Sequence, residues 1–271
     1  MPTPTAEQAA LVAARPFTVQ VPVGYDRAKP APLLVLLHGY GASGAVQDAY
    51  LKLTPAAAKN GVLYVYLDGT KNGQDKRFWN ATDACCDAGN PKVDDSAYIT
   101  AVIADVKSTH NVDPKRVFLI GHSNGAFMSF RMACDHADEI AAIVSLEGAT
   151  WLDPSRCHPS EPVAILAVHG TGDRTIEYAG GSAIAEYPSA ATTVKTWAGY
   201  DGCRTQADAS APPSRSIVKD LAPATVLAYS TGCRGNGHVE LWTQPDGVHI
   251  PLWTDDFADQ MIAFLLAHPK R

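Results

Sequence analysis

Val117-Phe118-Leu119-Ile120-Gly121-His122-Ser123-Asn124-Gly125-Ala126-Phe127-Met128 is the stretch from which the fold can be read. Its apolar opening reads as a buried strand, and Gly121 to Gly125 fits the G-x-S-x-G nucleophile elbow. Asn124 to Asp135 reads as the helix that follows. The spacing has a steric cause. So tight a strand-to-helix turn strains the serine backbone, and side chains at the flanking positions would clash, so glycines stand there. Ser123 Oγ then projects above the sheet, and the first helical turn offers free N–H groups to a developing oxyanion.

Outward from the elbow, strands and helices alternate. Pro32 to Leu37 is continuously apolar, as a strand covered on both faces of a parallel sheet must be. It runs into the glycine-rich loop His38–Gly44, then a helical stretch to about Asn60 and a buried strand, Val62 to Leu67. Upstream, Phe17 to Val21 alternates like a half-buried strand. Residues 68–94 read as one long loop, a length that usually carries function. Ile99, Val102, Ile103 and Val106 mark one helix face, and Asp113-Pro114 is expected to close that helix. Asp94 and Asp95 read as its capping pair.

Beyond the elbow, Ile140–Leu146 and Val163–Val168 are further buried strands, and Val239–Thr243 is the last one. Residues 178–236 are irregular apart from a helix near 189–200, with loops or short strands beyond it. The closing helix carries Phe257, Met261, Phe264 and Leu265 on one face. No repeat or linker interrupts this order. The expectation is a single α/β domain over 1–271, with 1–16 as an N-terminal extension. Its sheet is doubly wound and mostly parallel, with helices on both faces.

Composition narrows the function classes. The 271 residues are 46% hydrophobic and 18% charged, enough for a sizeable core. A net charge of −6 without any Lys/Arg-rich run argues against nucleic acid or anionic membrane as partner. The apolar runs are too short to span a bilayer. Six cysteines form an even set without a C-x-x-C pair, which argues against zinc or redox chemistry. The expectation is a secreted or periplasmic protein whose signal peptide is absent from this sequence.

A serine hydroxyl needs a base, and the base an orienting acid. Asp173 follows the strand Val163–Val168 through His169-Gly170-Thr171-Gly172, and His249 lies between the last strand and the closing helix. His238 opens that last strand and belongs at the opposite sheet edge, and His268 sits in the closing helix. The oxyanion donors are expected to be the backbone N–H groups of Asn124 and Tyr40.

Several motifs together resemble one family. They are His38-Gly39 in its glycine loop, Phe78-Trp79-Asn80-Ala81 followed by Cys85-Cys86, and Val93-Asp94-Asp95. To these add the elbow with Cys134, His169-Gly170-Thr171-Gly172-Asp173, and the placement of Cys203 and Cys233. The set is similar to the α/β-hydrolase esterases that include poly(3-hydroxybutyrate) depolymerases and feruloyl or acetyl-xylan esterases. The resemblance covers most of residues 30–265. It implies a Ser123–Asp173–His249 triad, Tyr40 and Asn124 at the oxyanion, and no metal or cofactor. It also implies that Cys203 pairs with Cys233, and that Cys85 and Cys86 pair with Cys134 and Cys157 in unassigned order. Such bridges would staple the 68–94 loop to the elbow helix.

One departure bears on substrate. Many members of that family follow the catalytic histidine with Thr-Trp-Pro-Gly, whereas this chain reads His249-Ile250-Pro251-Leu252-Trp253. Tyr40, Trp79, Trp151 and Trp253 are the aromatic residues expected to line an ester-binding cleft. Hydroxyalkanoate polyesters or their oligomers are the first substrate expected, and feruloyl or acetyl groups on plant polysaccharide the second. A hydrolase-fold binding protein without turnover is the rival from another class.

Overall fold

A computed structural model describes residues 3–86, 93–209 and 214–271; residues 87–92 of the expected long loop lie outside it. The chain opens with helix α1 (Ala6–Ala14), which begins in a capping box between Thr5 and Gln8. Strand β1 (Ala31–Leu37) follows, then α2 (Gly44–Leu51) and α3 (Leu53–Lys59). The expected single helix is broken at Lys52, whose φ is 56°. Strand β2 (Leu63–Leu67) leads into the short pair β3 (Thr70–Lys71) and β4 (Arg77–Phe78), then α4 (Asp95–Thr109) and β5 (Val112–His122). The elbow helix α5 spans Asn124–Asp135, as its sequence predicts. After it come β6 (Ala142–Leu146), β7 (Ala164–Gly170), the hairpin β8 (Gly181–Ser182) and β9 (Glu186–Tyr187), and α6 (Ala190–Tyr200). Strands β10 (Ser214–Arg215), β11 (Ala224–Tyr229) and β12 (Val239–Gln244) and helix α7 (Phe257–Ala267) complete the order.

Eight strands form one sheet in the order β10-β11-β12-β7-β6-β5-β1-β2. The six from β12 to β2 are parallel, and β11 and β10 add an antiparallel edge. Alternate residues of β1 serve opposite faces. Leu33, Val35 and Leu37 pack with Ile99 and Val102 of α4, Phe127 of α5 and Trp197 of α6. Leu34 and Leu36 pack with Leu53 of α3 and Phe257 and Met261 of α7. This is the doubly wound α/β arrangement the apolar runs predict, because strands covered on both faces cannot alternate.

Two local expectations need correction. Phe17–Val21 forms no strand; only Gln20 bridges to Tyr64, and its segment runs past the sheet edge. Asp113-Pro114 does not close α4, which ends at Thr109. It lies instead in a bulge at the start of β5, where the pairing with β1 slips between Ala31 and Leu33. Within the N-terminal extension, α1 packs on α4, and Arg15 binds Asp95 at 2.6 Å.

Candidate active site

The loops that leave β1, β5, β6, β7 and β12 emerge from adjacent strands at one sheet edge, where open parallel sheets place ligands. Ser123 sits between β5 and α5 with φ 53° and ψ −120°, the strained turn expected of a nucleophile elbow. Its N–H donates to Leu146 O at 2.8 Å, tying the turn to the end of β6. A side chain on Gly121 would collide with the Gly125 carbonyl, and one on Gly125 with the Leu37 carbonyl. Both glycines are therefore demanded by the close approach of backbone to backbone.

The glycine loop lies against the serine: a Cβ on Gly39 would stand 3.4 Å from Ser123 Cβ. Its shape is locked by His38, which is fully buried. His38 Nε2 accepts from the Gly69 amide at 2.9 Å, so Nδ1 carries the proton and donates to Gly39 O at 2.8 Å. Burial lowers the His38 pKa and keeps the ring neutral. The loop amides of Gly39, Gly41 and Ala42 donate to Gln47 Oε1, Arg77 O and Gly39 O. Among the described residues the Tyr40 amide is left without a protein acceptor. The Asn124 amide opens α5, before any carbonyl four residues back can accept it within the helix.

Asp173 is buried, and its Oδ2 accepts from His249 Nδ1 at 2.7 Å. Its Oδ1 accepts the amides of Thr175 (2.7 Å) and Ile176 (3.0 Å). Burial opposes ionisation, yet the hydrogen bond and charge of His249, with those amides, hold Asp173 below the usual carboxylate range. His122 Nε2 donates to His249 O at 3.0 Å, which fixes the histidine loop over the elbow. Burial pushes His122 down to about 4, so it is a neutral donor and not a second base. An open cavity of about 510 Å³ is lined by Gly172, Arg174, Thr175, Val248, His249 and Ile250.

Of the four aromatic residues expected at the cleft, three are buried. Trp79 is fully buried, donating from Nε1 to His38 O at 3.0 Å, while its backbone pairs both ways with the Asn124 side chain. It clamps the glycine loop to the elbow helix and cannot reach substrate. Trp253 stacks on Phe257 at 4.1 Å inside the core, and Trp151 is nearly enclosed on the other face. Only Tyr40 of the four is exposed, its hydroxyl accepting from Asn72 Nδ2 at 2.8 Å.

The cysteine pairing is also corrected in part. Cys203 joins Cys233 as expected, but Cys134 joins Cys157 and Cys85 joins its neighbour Cys86. Cys134 and Cys157 have Cα atoms 5.6 Å apart, an ordinary disulfide separation, so they satisfy each other. Residues 80–83 are held by polar ties: Arg131 donates to Asn80 O at 2.5 Å, and Arg156 meets Asp83 at 3.2 Å. His238 lies apart from the site, bonded to Glu240, and the His268 ring lies tilted beside it.

Glu147 was not expected at the site. It follows β6, is buried to 1% exposure, and its Oε2 accepts the Gly170 amide at 3.0 Å. Ligand-type atoms of Glu147, His169 and Asp173 lie within 4.8 Å of one another. His169 Nε2 donates to Ile176 O at 2.8 Å, and the Asp173 oxygens are taken by donors, so the cluster is a hydrogen-bonded network. The one sequence signal was a lone acid closing an apolar strand, which any turn could also explain.

The chain is similar in sequence or in fold to several known esterases. Feruloyl esterase B of Piromyces equi is 28% identical over 235 residues, covering 83% of this chain but 43% of that protein's length. Feruloyl esterase C of Emericella nidulans is 27% identical over 236 residues, covering 82% of this chain and 77% of the relative. The crystal structure of esterase PE8 superposes with a TM-score of 0.59 at 15% identity, over 94% of this chain and 99% of that one, a likeness of fold. The model of the phospholipase/carboxylesterase family matches residues 21–207, which include the glycine loop, the elbow and Asp173. With that match over more than half its length, the chain belongs to the phospholipase/carboxylesterase family and has the α/β-hydrolase fold.

Proposed function

We propose that this protein is a serine carboxylic-ester hydrolase working through an acyl-enzyme. The observation that carries the reading is the 2.7 Å bond between His249 Nδ1 and buried Asp173 Oδ2. With Nδ1 donating to the carboxylate, Nε2 is left as the lone-pair nitrogen that can take the Ser123 proton. Ser123 Oγ then attacks the ester carbonyl, and the oxyanion is stabilised by the Tyr40 and Asn124 amides. Protonated His249 gives its proton to the departing alcohol, and water repeats the cycle on the acyl-enzyme. These steps use no metal or organic cofactor.

The two feruloyl esterases favour an aryl ester of plant polysaccharide as substrate. The second reading, a hydroxyalkanoate oligomer, is favoured by the exposed Val248, Ile250 and Leu252 around His249, an apolar rim suited to an alkyl polyester. Methyl ferulate, p-nitrophenyl acetate and butyrate, and a hydroxybutyrate oligomer should be assayed with wild type and Ser123→Ala. The expected outcome is a fall in kcat of ~10⁶-fold in the variant, with ferulate the best substrate of the wild type. An oligomer preferred over ferulate selects the second reading. Undiminished Ser123→Ala activity removes the triad assignment, and a folded wild type inert on every ester leaves a binding protein.

Secretion or periplasmic location belongs to the same reading and is supported by the three cysteine pairs. Protein from its native source should show thiols to alkylation only after reduction. Six free thiols would place it in a reducing compartment.

A further inference from the structure

Glu147 is a buried acid that the proposed reaction does not use. It sits at the end of β6, one strand from Ser123 and one from Asp173. Its backbone is held at φ 54°, a left-handed conformation that is rare for a residue with a long side chain, and its amide donates to Val168 O at 3.0 Å. The turn therefore aims the carboxyl into the sheet edge, where one oxygen takes the Gly170 amide at 3.0 Å and a Glu147 oxygen lies within 4.8 Å of one on Asp173. Two carboxylates this close and this buried cannot both be ionised without a cation between them. The nearby titratable groups include Asp173, His169, His249, His122, Tyr50 and Tyr187, and Arg174, next to Asp173, is exposed at the cavity.

We propose that Glu147 is a positioning residue, a neutral carboxylic acid that donates its proton in a hydrogen bond to Asp173 and so holds that carboxylate on His249. This rests on the triad reading above. Asp173 has room for that donor: the Thr175 and Ile176 amides and His249 Nδ1–H occupy three of the four acceptor positions of one carboxylate. Burial raises the Glu147 pKa well above its ordinary value, and Asp173 pushes it the same way against the Gly170 amide. Asp173, within 4.8 Å of it, is held low by His249 and the Thr175 and Ile176 amides. Two acids whose environments pull them apart in this way divide the roles of proton donor and anion.

The direction of one shift separates the possibilities. A donor on Asp173 weakens its pull on the His249 proton, so removing that donor strengthens the pull and keeps His249 protonated to higher pH. The experiment is kcat/KM against pH on p-nitrophenyl acetate for wild type, Glu147→Leu and Glu147→Gln, with folding checked by circular dichroism. Glu147→Leu should move the acid limb upward by on the order of half a pH unit or more. Glu147→Gln, whose amide can still donate, should return it toward wild type. A downward shift in Glu147→Leu would mean that Glu147 is an anion, and an identical limb in all three proteins would mean a merely structural acid; either overturns the proposal. If Glu147→Leu does not fold, the infrared difference between wild type and Glu147→Gln at neutral pH decides. A protonated-carboxyl C=O stretch lost in the variant is expected, and its absence overturns the proposal. Ser123→Ala assayed in parallel tests the triad separately, since the infrared band reports on Glu147 whatever the nucleophile is.

Discussion

Asp173 concentrates the electrostatics of the site in one side chain. It is buried yet anionic, because its own loop supplies two amides and His249 a third donor. Asp173→Asn keeps the shape and reverses one donor, so the amide NH₂ faces His249 Nδ1 and favours the wrong tautomer. The expected result is a ~10⁴-fold fall in kcat with an unchanged far-ultraviolet spectrum. A variant that keeps kcat within tenfold would show that another group orients the base.

Among the elements, the docking of α1 on α4 depends on an ion pair between half-buried Arg15 and fully buried Asp95. Arg15 lies 3.6 Å over the Tyr98 ring and binds Asp95, which also accepts the Asn80 amide at 2.7 Å. The pair thus ties helix α1, helix α4 and the Trp79 segment together. Burial raises Asp95 above its ordinary range although Arg15 pulls it down. Arg15→Met leaves that carboxyl without its cation, and a loss of about 3 kcal/mol in urea unfolding is expected. A folded pKa above the unfolded one gives stability that is present at low pH and lost as pH rises, so the deficit should be larger at pH 8 than at pH 4. Helix α6 ends in a similar case. Burial raises Asp201 to about 7, although the Val163 amide and Arg234 act against it. Its stabilising protonated form disappears as pH rises from about 4 to about 7. Asp201→Asn should therefore gain on wild type across that window, by up to about 4 kcal/mol. Parallel stability curves for the two proteins would refute the shift.

Over the whole molecule, a sheet covered on both faces supplies the core, and the antiparallel edge depends more on covalent help. Cys203 and Cys233 join the end of α6 to the segment between β11 and β12, across a sequence separation of 30. Loop-closure entropy for that span gives about 4 kcal/mol. The double variant Cys203→Ser/Cys233→Ser should unfold at correspondingly lower urea while keeping ester turnover, because neither cysteine approaches the triad. Loss of turnover in a folded double variant would show that the edge shapes the site.

The amino-acid sequence by itself determined the local pieces. The elbow helix appears at Asn124–Asp135, and Asp173 and His249 stand in the post-strand loops that their positions imply. These were legible because apolar periodicity and glycine demands are written within a few neighbouring residues. Only the tertiary structure decided the rest. β11, with its mixed exposure, shows no clean alternation, so its pairing with β12 emerges only in the sheet. Trp79 and Trp253 look alike as motif aromatics, and their burial depends on which helices cover them. The Cys134–Cys157 and Cys203–Cys233 pairs and the approach of Glu147 to Asp173 join segments distant in sequence. Such contacts depend on the register of parallel strands across the sheet, a distance that no local pattern encodes.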